Sequence, residues 1–404
     1  MRIIYLHQYF TTPQMSGGTR SYEFARRLVA EGHDVHMITS DRTRSGKTYE
    51  TVEEGIKVTW IPVSYSNSMG PLARIRSFIV FAAKSSVVAS RSKADLVFAT
   101  STPLTIAIPG IFAKWRQKIP MVFEVRDPWP EMLVGLGAIR NPIAIFLATK
   151  FERFAYKNSD RIIALSDGMK DIIVDSGYVE ELVTVIPNAA DLDRFDVPPM
   201  AGEQFRAQFD WLQQRKLVLY AGALGIANAV DYLAEVARHM LAIDPEVRFL
   251  VVGSGGQEKV VRDAATATGT LNKNFFMMPS IPKTEIPAVF SSADISLVLL
   301  KDVKELWTNS SNKFFDGLAA GRPVVVNNVG WQATLLNSEN AGFDIDPCDF
   351  QAAAKKLYRY LSDDTLLREA GANAQKLARD RFDRDMLAAR FLGVLQQALP
   401  SRGK

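Results

Sequence analysis

Three short stretches of this chain place charged and hydroxyl side chains beside glycines or a helix start, where an anion or a hydroxylated ligand can be held. The run Trp307-Thr308-Asn309-Ser310-Ser311-Asn312-Lys313-Phe314-Phe315-Asp316 passes from a polar loop into a predicted helix over 312–320, closed by Gly321 and Pro323. Ser310, Ser311 and Asn312 stand where free backbone N–H groups collect, and can cap them or share them with a phosphate. Lys313 adds a positive charge within the first turn, where the helix dipole disfavours one, so capping alone does not account for it. Asp316, one turn later, is within reach of a hydroxylated ligand over the helix end. The run Glu124-Val125-Arg126-Asp127-Pro128-Trp129-Pro130-Glu131 follows a predicted strand, the end at which open α/β sheets hold ligands. Asp127 can take a proton from a ligand hydroxyl and Arg126 can clamp a phosphate, or the two can simply shape the loop.

The third stretch, Ser16-Gly17-Gly18-Thr19-Arg20, joins a strand to a helix. Gly17 and Gly18 allow close backbone approach and the helix start offers N–H groups, which suits a diphosphate or another ligand; the third glycine of the dinucleotide fingerprint is missing. Two weaker turns, Gly222-Ala223-Leu224-Gly225 and Gly253-Ser254-Gly255-Gly256, follow later strands. Gly222 and Gly253 fit a nucleotide site or tight helix-on-sheet packing equally. The four histidines have no metal-binding spacing, and His7, at the end of the first strand, reads as a structural histidine.

The elements that carry these stretches alternate. Apolar β-type runs over 2–10, 35–39, 94–99, 120–125 and 161–165 are separated by helical patterns, and a polar, proline-containing stretch over 188–199 interrupts the series. A second series then follows, with strands over 216–220, 247–252, 295–300 and 322–327. The expected fold class is α/β, with two doubly wound Rossmann-like domains. Residues 1–195 are assigned to the first and 196–380 to the second, with a final helical segment over 381–404 reaching back to the first.

A length of 404 residues is more than one core usually supports, and 47% hydrophobic with 23% charged residues is a globular balance. The single cysteine, Cys348, excludes an intramolecular disulfide and a cysteine-rich zinc site. Met1 leads straight into an apolar run, so no signal peptide is expected. No stretch reaches the roughly 18 uninterrupted apolar residues of a spanning helix. A cytoplasmic setting follows. Residues 1–157 hold 21 Lys/Arg against 12 Asp/Glu, a surplus of nine, whereas the whole chain has a surplus of four and the remainder therefore a deficit of five. The surplus is compatible with nucleic acid, anionic lipid or a phosphorylated substrate. Residues 70–93 and 140–157 interleave basic with apolar positions, which suits peripheral contact with an anionic bilayer, the alternative being buried helices with snorkelling lysines.

Taken together, the Gly17-Gly18 loop, Gly32-His33-Asp34-Val35, Arg126-Asp127-Pro128-Trp129-Pro130-Glu131, Ile186-Pro187-Asn188, Tyr220-Ala221-Gly222 and Lys313-Phe314-Phe315-Asp316 with Ala320-Gly321-Arg322-Pro323 resemble the retaining glycosyltransferases of family 4, which have the GT-B fold. Bacterial surface-polysaccharide enzymes, including N-acetylfucosamine transferases, are the nearest in kind. The resemblance implies two domains facing a cleft, a nucleotide-sugar donor in the second (UDP-linked, with N-acetyl aminodeoxysugars among the candidates), and acceptor binding in the first. It implies a polyprenyl-diphosphate-linked saccharide acceptor at the inner face of the cytoplasmic membrane, in O-antigen or related synthesis. Retention of anomeric configuration, no cofactor beyond the donor, no obligatory metal and no nucleic-acid partner are also implied. Asp316 matches the second of the family's paired glutamates, which holds the ribose hydroxyls, while Thr308 stands in place of the first. The arginine and lysine that commonly neutralise the diphosphate are replaced by Ala223 and Asn228. Lys313, the helix start at 310–312 and Arg20 or Arg126 are the remaining sources of compensating charge. Two other readings of the same fold are a nucleotide-sugar epimerase and a non-catalytic partner subunit.

Overall fold

A computed structural model describes residues 1–15, 17–66, 69–189 and 192–400; Ser16 of the first glycine loop, residues 190–191 of the polar stretch and 401–404 of the final segment lie outside the described residues. Apolar runs flanked by turn residues form strands buried on both faces, as parallel sheets covered by helices require. In the first half these are β1 (Arg2–Leu6), β2 (Asp34–Asp41), β3 (Tyr49–Glu53), β4 (Ile56–Pro62), β5 (Leu96–Thr100), β6 (Met121–Val125), β7 (Arg161–Ala164) and β8 (Val183–Val185). They lie in the order β3-β4-β2-β1-β5-β6-β7-β8. All neighbours are parallel except β3 and β4. The second half adds β9 (Leu217–Ala221), β10 (Arg248–Val252), β11 (Phe275–Met278), β12 (Ile295–Val298), β13 (Val324–Val326) and β14 (Gly342–Asp344). Their order is β11-β10-β9-β12-β13-β14, parallel throughout.

Strand order reverses between β1 and β5 in one sheet and between β9 and β12 in the other. At such switch points the loops leaving the carboxyl ends of adjacent strands diverge and leave room for a ligand. His7 leaves β1, Arg126 leaves β6, and Gly222 leaves β9, so several of the candidate residues stand at carboxyl ends.

The chain forms two compact units, Met1–Pro187 with Asp385–Lys404, and Asn188–Arg384. The polar stretch suggested a division at 195/196. Asn188 instead ties itself to the second unit, its backbone N–H donating to Ser310 Oγ at 3.2 Å and its Nδ2 to the Ser310 carbonyl at 2.6 Å. Phe195 and Phe205 follow it into the core beneath β9, β10 and β13. The last helix, Arg384–Ala398, sends Phe391 into the first unit against Phe24, Phe98 and Tyr5, with ring centroids 4.9, 4.8 and 6.4 Å away.

Candidate functional site

In the first unit the residues leaving β1 and β6 meet. Arg126 donates from NH1 to His7 Nε2 at 3.2 Å. Because a guanidinium only donates, that nitrogen accepts and the proton of neutral His7 sits on Nδ1. Burial, with Arg126 and Arg42 nearby, holds the His7 imidazole well below its ordinary range, so it stays neutral at pH 7. His7 Nδ1 is buried and has no partner. The Asp127 carboxylate accepts from the Thr102 hydroxyl at 3.1 Å. Burial raises this carboxyl above its usual value, against the opposing pull of Arg126 and Thr102. A carboxylate so placed is suited to accept a hydrogen bond from a substrate hydroxyl.

Arg20 is a correction to the sequence reading. It is 2% exposed. Its Nε and NH2 donate to Glu124 Oε1 at 3.0 and 2.8 Å, and the guanidinium also donates to the carbonyls of Ile186 and Pro187 at 2.8 and 2.5 Å. With Thr100 donating to the other Glu124 oxygen at 2.6 Å, the pair locks the start of the helix Arg20–Ala30 to β5, β6 and the end of the unit. Four of its five N–H donors are thus taken by protein groups and its charge is paired with Glu124, which leaves little for a diphosphate. The helix Arg20–Ala30 begins in a buried ion pair because Glu124, at the end of a fully buried strand, needs a partner. Gly17 takes φ +137°, a conformation that favours glycine, and Gly18 accepts from the Thr11 hydroxyl at 2.9 Å.

In the second unit Lys313 is the centre. It extends from the helix Asn312–Ala319 across the loop after β9, its Nζ 5.3 Å from the centroid of the Tyr220 ring and 3.5 Å from Asn228 Oδ1. A Cβ at Gly222 would stand 2.6 Å from Lys313 Cδ, so the glycine makes room for the lysine. Burial lowers the ammonium to about 8, and Asp316 opposes the shift. Ser311, at the N-cap, makes no side-chain bond to the helix start, and Asn312 beside it is exposed. The helix start thus has no side-chain cap, and the lysine extends from its first turn, two features that suit an anion.

Two of the sequence assignments change here. Ser310 is 6% exposed and accepts from Asn188, which makes it a tie of the polypeptide rather than a phosphate ligand. A Cβ at Gly253 would fall 1.9 Å from the Gly222 carbonyl oxygen, so Gly253 serves the close packing of two loops. A cavity of about 690 Å³ in this unit, lined by Arg206, Asp294 and Arg322, lies at the amino ends of the strands, away from Lys313. Among the described residues no three His, Cys, Asp or Glu side chains come together to hold a metal ion. Thr102 escaped sequence reasoning, having no signature beyond lying in a loop, and Asn188 was noted only within the Ile186-Pro187-Asn188 motif, with no sign of its bonds to Ser310.

Residues 17–189 match the family model described as glycosyl transferase 4-like domain, and residues 202–377 the one described as glycosyl transferases group 1. The putative colanic acid biosynthesis glycosyl transferase WcaI of Escherichia coli is 26% identical over 72% of this chain and 74% of its own length. An Escherichia coli UDP-Gal:alpha-D-GlcNAc-diphosphoundecaprenol alpha-1,3-galactosyltransferase is 24% identical over 53% of this chain and 54% of its own. Among solved structures, Anabaena Alr3699/HepE in complex with UDP and glucose superposes with a TM-score of 0.73 at 18% identity, covering 98% of this chain and all of that one.

Proposed function

Because the chain belongs to the glycosyltransferases of GT-B fold, a 4-like domain followed by a group 1 domain, we propose that it moves a sugar from a nucleoside-diphosphate donor to a hydroxyl of a polyprenyl-diphosphate-linked saccharide, with retention at the anomeric carbon. The observation that carries this reading is the Lys313 ammonium at the Gly222 loop, above the Tyr220 ring and beside an uncapped helix start. The bond from the anomeric carbon to the diphosphate oxygen breaks, and charge develops on that oxygen. Lys313 and the helix N–H groups stabilise it where water is scarce, which is where such charges act most strongly. Asp316, one turn on, takes the ribose hydroxyls. Retention means that the acceptor oxygen bonds to carbon on the face the diphosphate leaves, so the departing phosphate oxygen is the nearest base for the hydroxyl proton. Asp127 and Arg126 position that acceptor.

A UDP-linked donor is supported by the complex of HepE, and a lipid-linked acceptor by the diphosphoundecaprenol-dependent relative. A place in polysaccharide synthesis, O-antigen among the candidates, is in keeping with the colanic acid role in the name of WcaI. Peripheral attachment to the inner face of the cytoplasmic membrane would bring the enzyme to such an acceptor. An N-acetyl aminodeoxysugar is the donor sugar to try first. The experiment is turnover of UDP-, GDP- and dTDP-sugars with a prenyl-diphosphate saccharide by the wild type and Lys313→Ala. One donor should be consumed with transfer, and the substitution should lower kcat by roughly a hundredfold or more with the melting temperature unchanged. Equal turnover by both proteins would remove Lys313 from the mechanism.

A further inference from the structure

Two consecutive residues leaving β1 carry buried polar atoms without partners, His7 Nδ1 and both amide atoms of Gln8, and Tyr9 follows them. His7 is 2% exposed and Gln8 fully buried. Buried polar groups are almost always paired, so a run of unpaired ones at the switch point of a sheet marks a place where something else supplies the partners. Arginines gather around the run. Arg42 stacks over the Tyr9 ring with Cζ 5.9 Å from the centroid. Arg42 and Arg126 both act electrostatically on His7, and Arg42 and Arg74 on Tyr9. The nearby Asp41 carboxylate is taken up by Thr43, the Arg44 N–H and Tyr49. Tyr9 and Tyr65 pair with centroids 5.0 Å apart, and Tyr65 stacks on Phe78.

We propose that Arg42, Arg74 and Arg126, ranged along the unpaired residues after β1, form a subsite for a phosphate ester on the acceptor, with the Tyr9 and Tyr65 rings beside it for a sugar face. Guanidinium groups match phosphate oxygens in paired hydrogen bonds, and His7 and Gln8 supply further donors that no protein group uses. Arg74 belongs to the helix Pro71–Arg91, on the same turn as exposed Leu72 and Ile75. A prenyl chain leaving the phosphate would meet that apolar surface. This inference rests on the transferase reading, because the ligand is the acceptor of the transferred sugar.

The test is calorimetric titration of the wild type, Arg42→Gln, Arg74→Gln and the double variant. The probes are farnesyl-diphosphate-linked N-acetylglucosamine and N-acetylglucosamine 1-phosphate, with UDP, GDP, dTDP and ADP as controls on the donor site. Each single substitution should weaken the farnesyl probe by roughly tenfold, the double by more, with nucleotide affinity and melting temperature unchanged. Tighter binding of the farnesyl probe assigns a lipid-linked acceptor; equal, arginine-dependent binding of both probes assigns a free sugar phosphate. Affinities for both probes that the double variant leaves unchanged overturn the subsite. Failure of every nucleotide to bind the wild type would instead sink the donor reading, leaving the arginine dependence of the farnesyl probe to stand on its own.

Discussion

Lys313 lies at the balance between burial and charge. Its ammonium falls from the ordinary 10.5 to about 8, chiefly through burial. Between about pH 8 and pH 10.5 the folded protein therefore holds one proton fewer than the unfolded chain, and this group contributes stability that rises with pH through that window. Anion binding runs the other way, since only the charged form attracts a diphosphate. Affinity for the nucleoside diphosphate should drop by up to about tenfold per pH unit above pH 8, while Lys313→Arg, charged throughout, should give a flat profile in the same titration. A flat wild-type profile would contradict the role. The lysine was legible in the sequence as a charge on the wrong end of a helix. Its reach to Asn228 was not, because that contact depends on the clearance Gly222 leaves. Arg20 misled for the opposite reason: an arginine after a glycine loop looks free until the buried Glu124 opposite it is seen, 104 residues away. Removing either of that pair would leave a buried, unpaired charge, at roughly 3–5 kcal/mol.

Helices over Pro71–Arg91 and Pro142–Lys157 show why interleaved basic and apolar residues do not identify a buried face. In the second of them Asn141 accepts from the N–H groups of Ile143 and Ala144, and Pro142 opens the helix, so its start is well fixed. Yet Ile143, Phe146 and Leu147 are 69%, 59% and 60% exposed, as Leu72 and Ile79 are on the first helix. The helix Ala107–Gln117 between them in sequence adds exposed Phe112 and Trp115. Large apolar side chains at such exposure beside Lys150 and Arg153 fit an anionic lipid surface. Ile143→Asp with Phe146→Asp should weaken sedimentation with phosphatidylglycerol vesicles by roughly tenfold and leave the fold intact, since neither side chain supports the core. Undiminished sedimentation would remove this surface as the contact. The strands were easier to read: apolar runs such as β6, β10 and β13 stood out, whereas β8 and β14, at three residues each, are too short to show a period. β3 alternates half-buried and exposed positions and reads as loop without its partner β4.

Across the whole chain there are two units with separate cores, and the first draws on both ends of the polypeptide. Phe391, fully buried, fills the first unit with Tyr5, Phe24 and Phe98, so that unit cannot complete its core until the last helix exists. Phe391→Ala should cost the first unit roughly 3–5 kcal/mol, read as a lower denaturation midpoint, while nucleotide affinity should stay as it is if the proposed donor site around Lys313 belongs to the second unit alone. Lost nucleotide affinity would mean that the donor site draws on the first unit. The two-unit plan was legible from the repeated alternation of strand and helix, but the division at Pro187–Asn188 was not, because it is set by the Asn188 bonds to Ser310, 122 residues away. The most direct test of a donor site built around Lys313 is calorimetric titration of UDP, GDP, dTDP and ADP into the wild type and Lys313→Ala. One diphosphate binding the wild type at micromolar strength and the variant at least about tenfold more weakly is the expected result; no binding by any of them, or equal binding to both proteins, would contradict it.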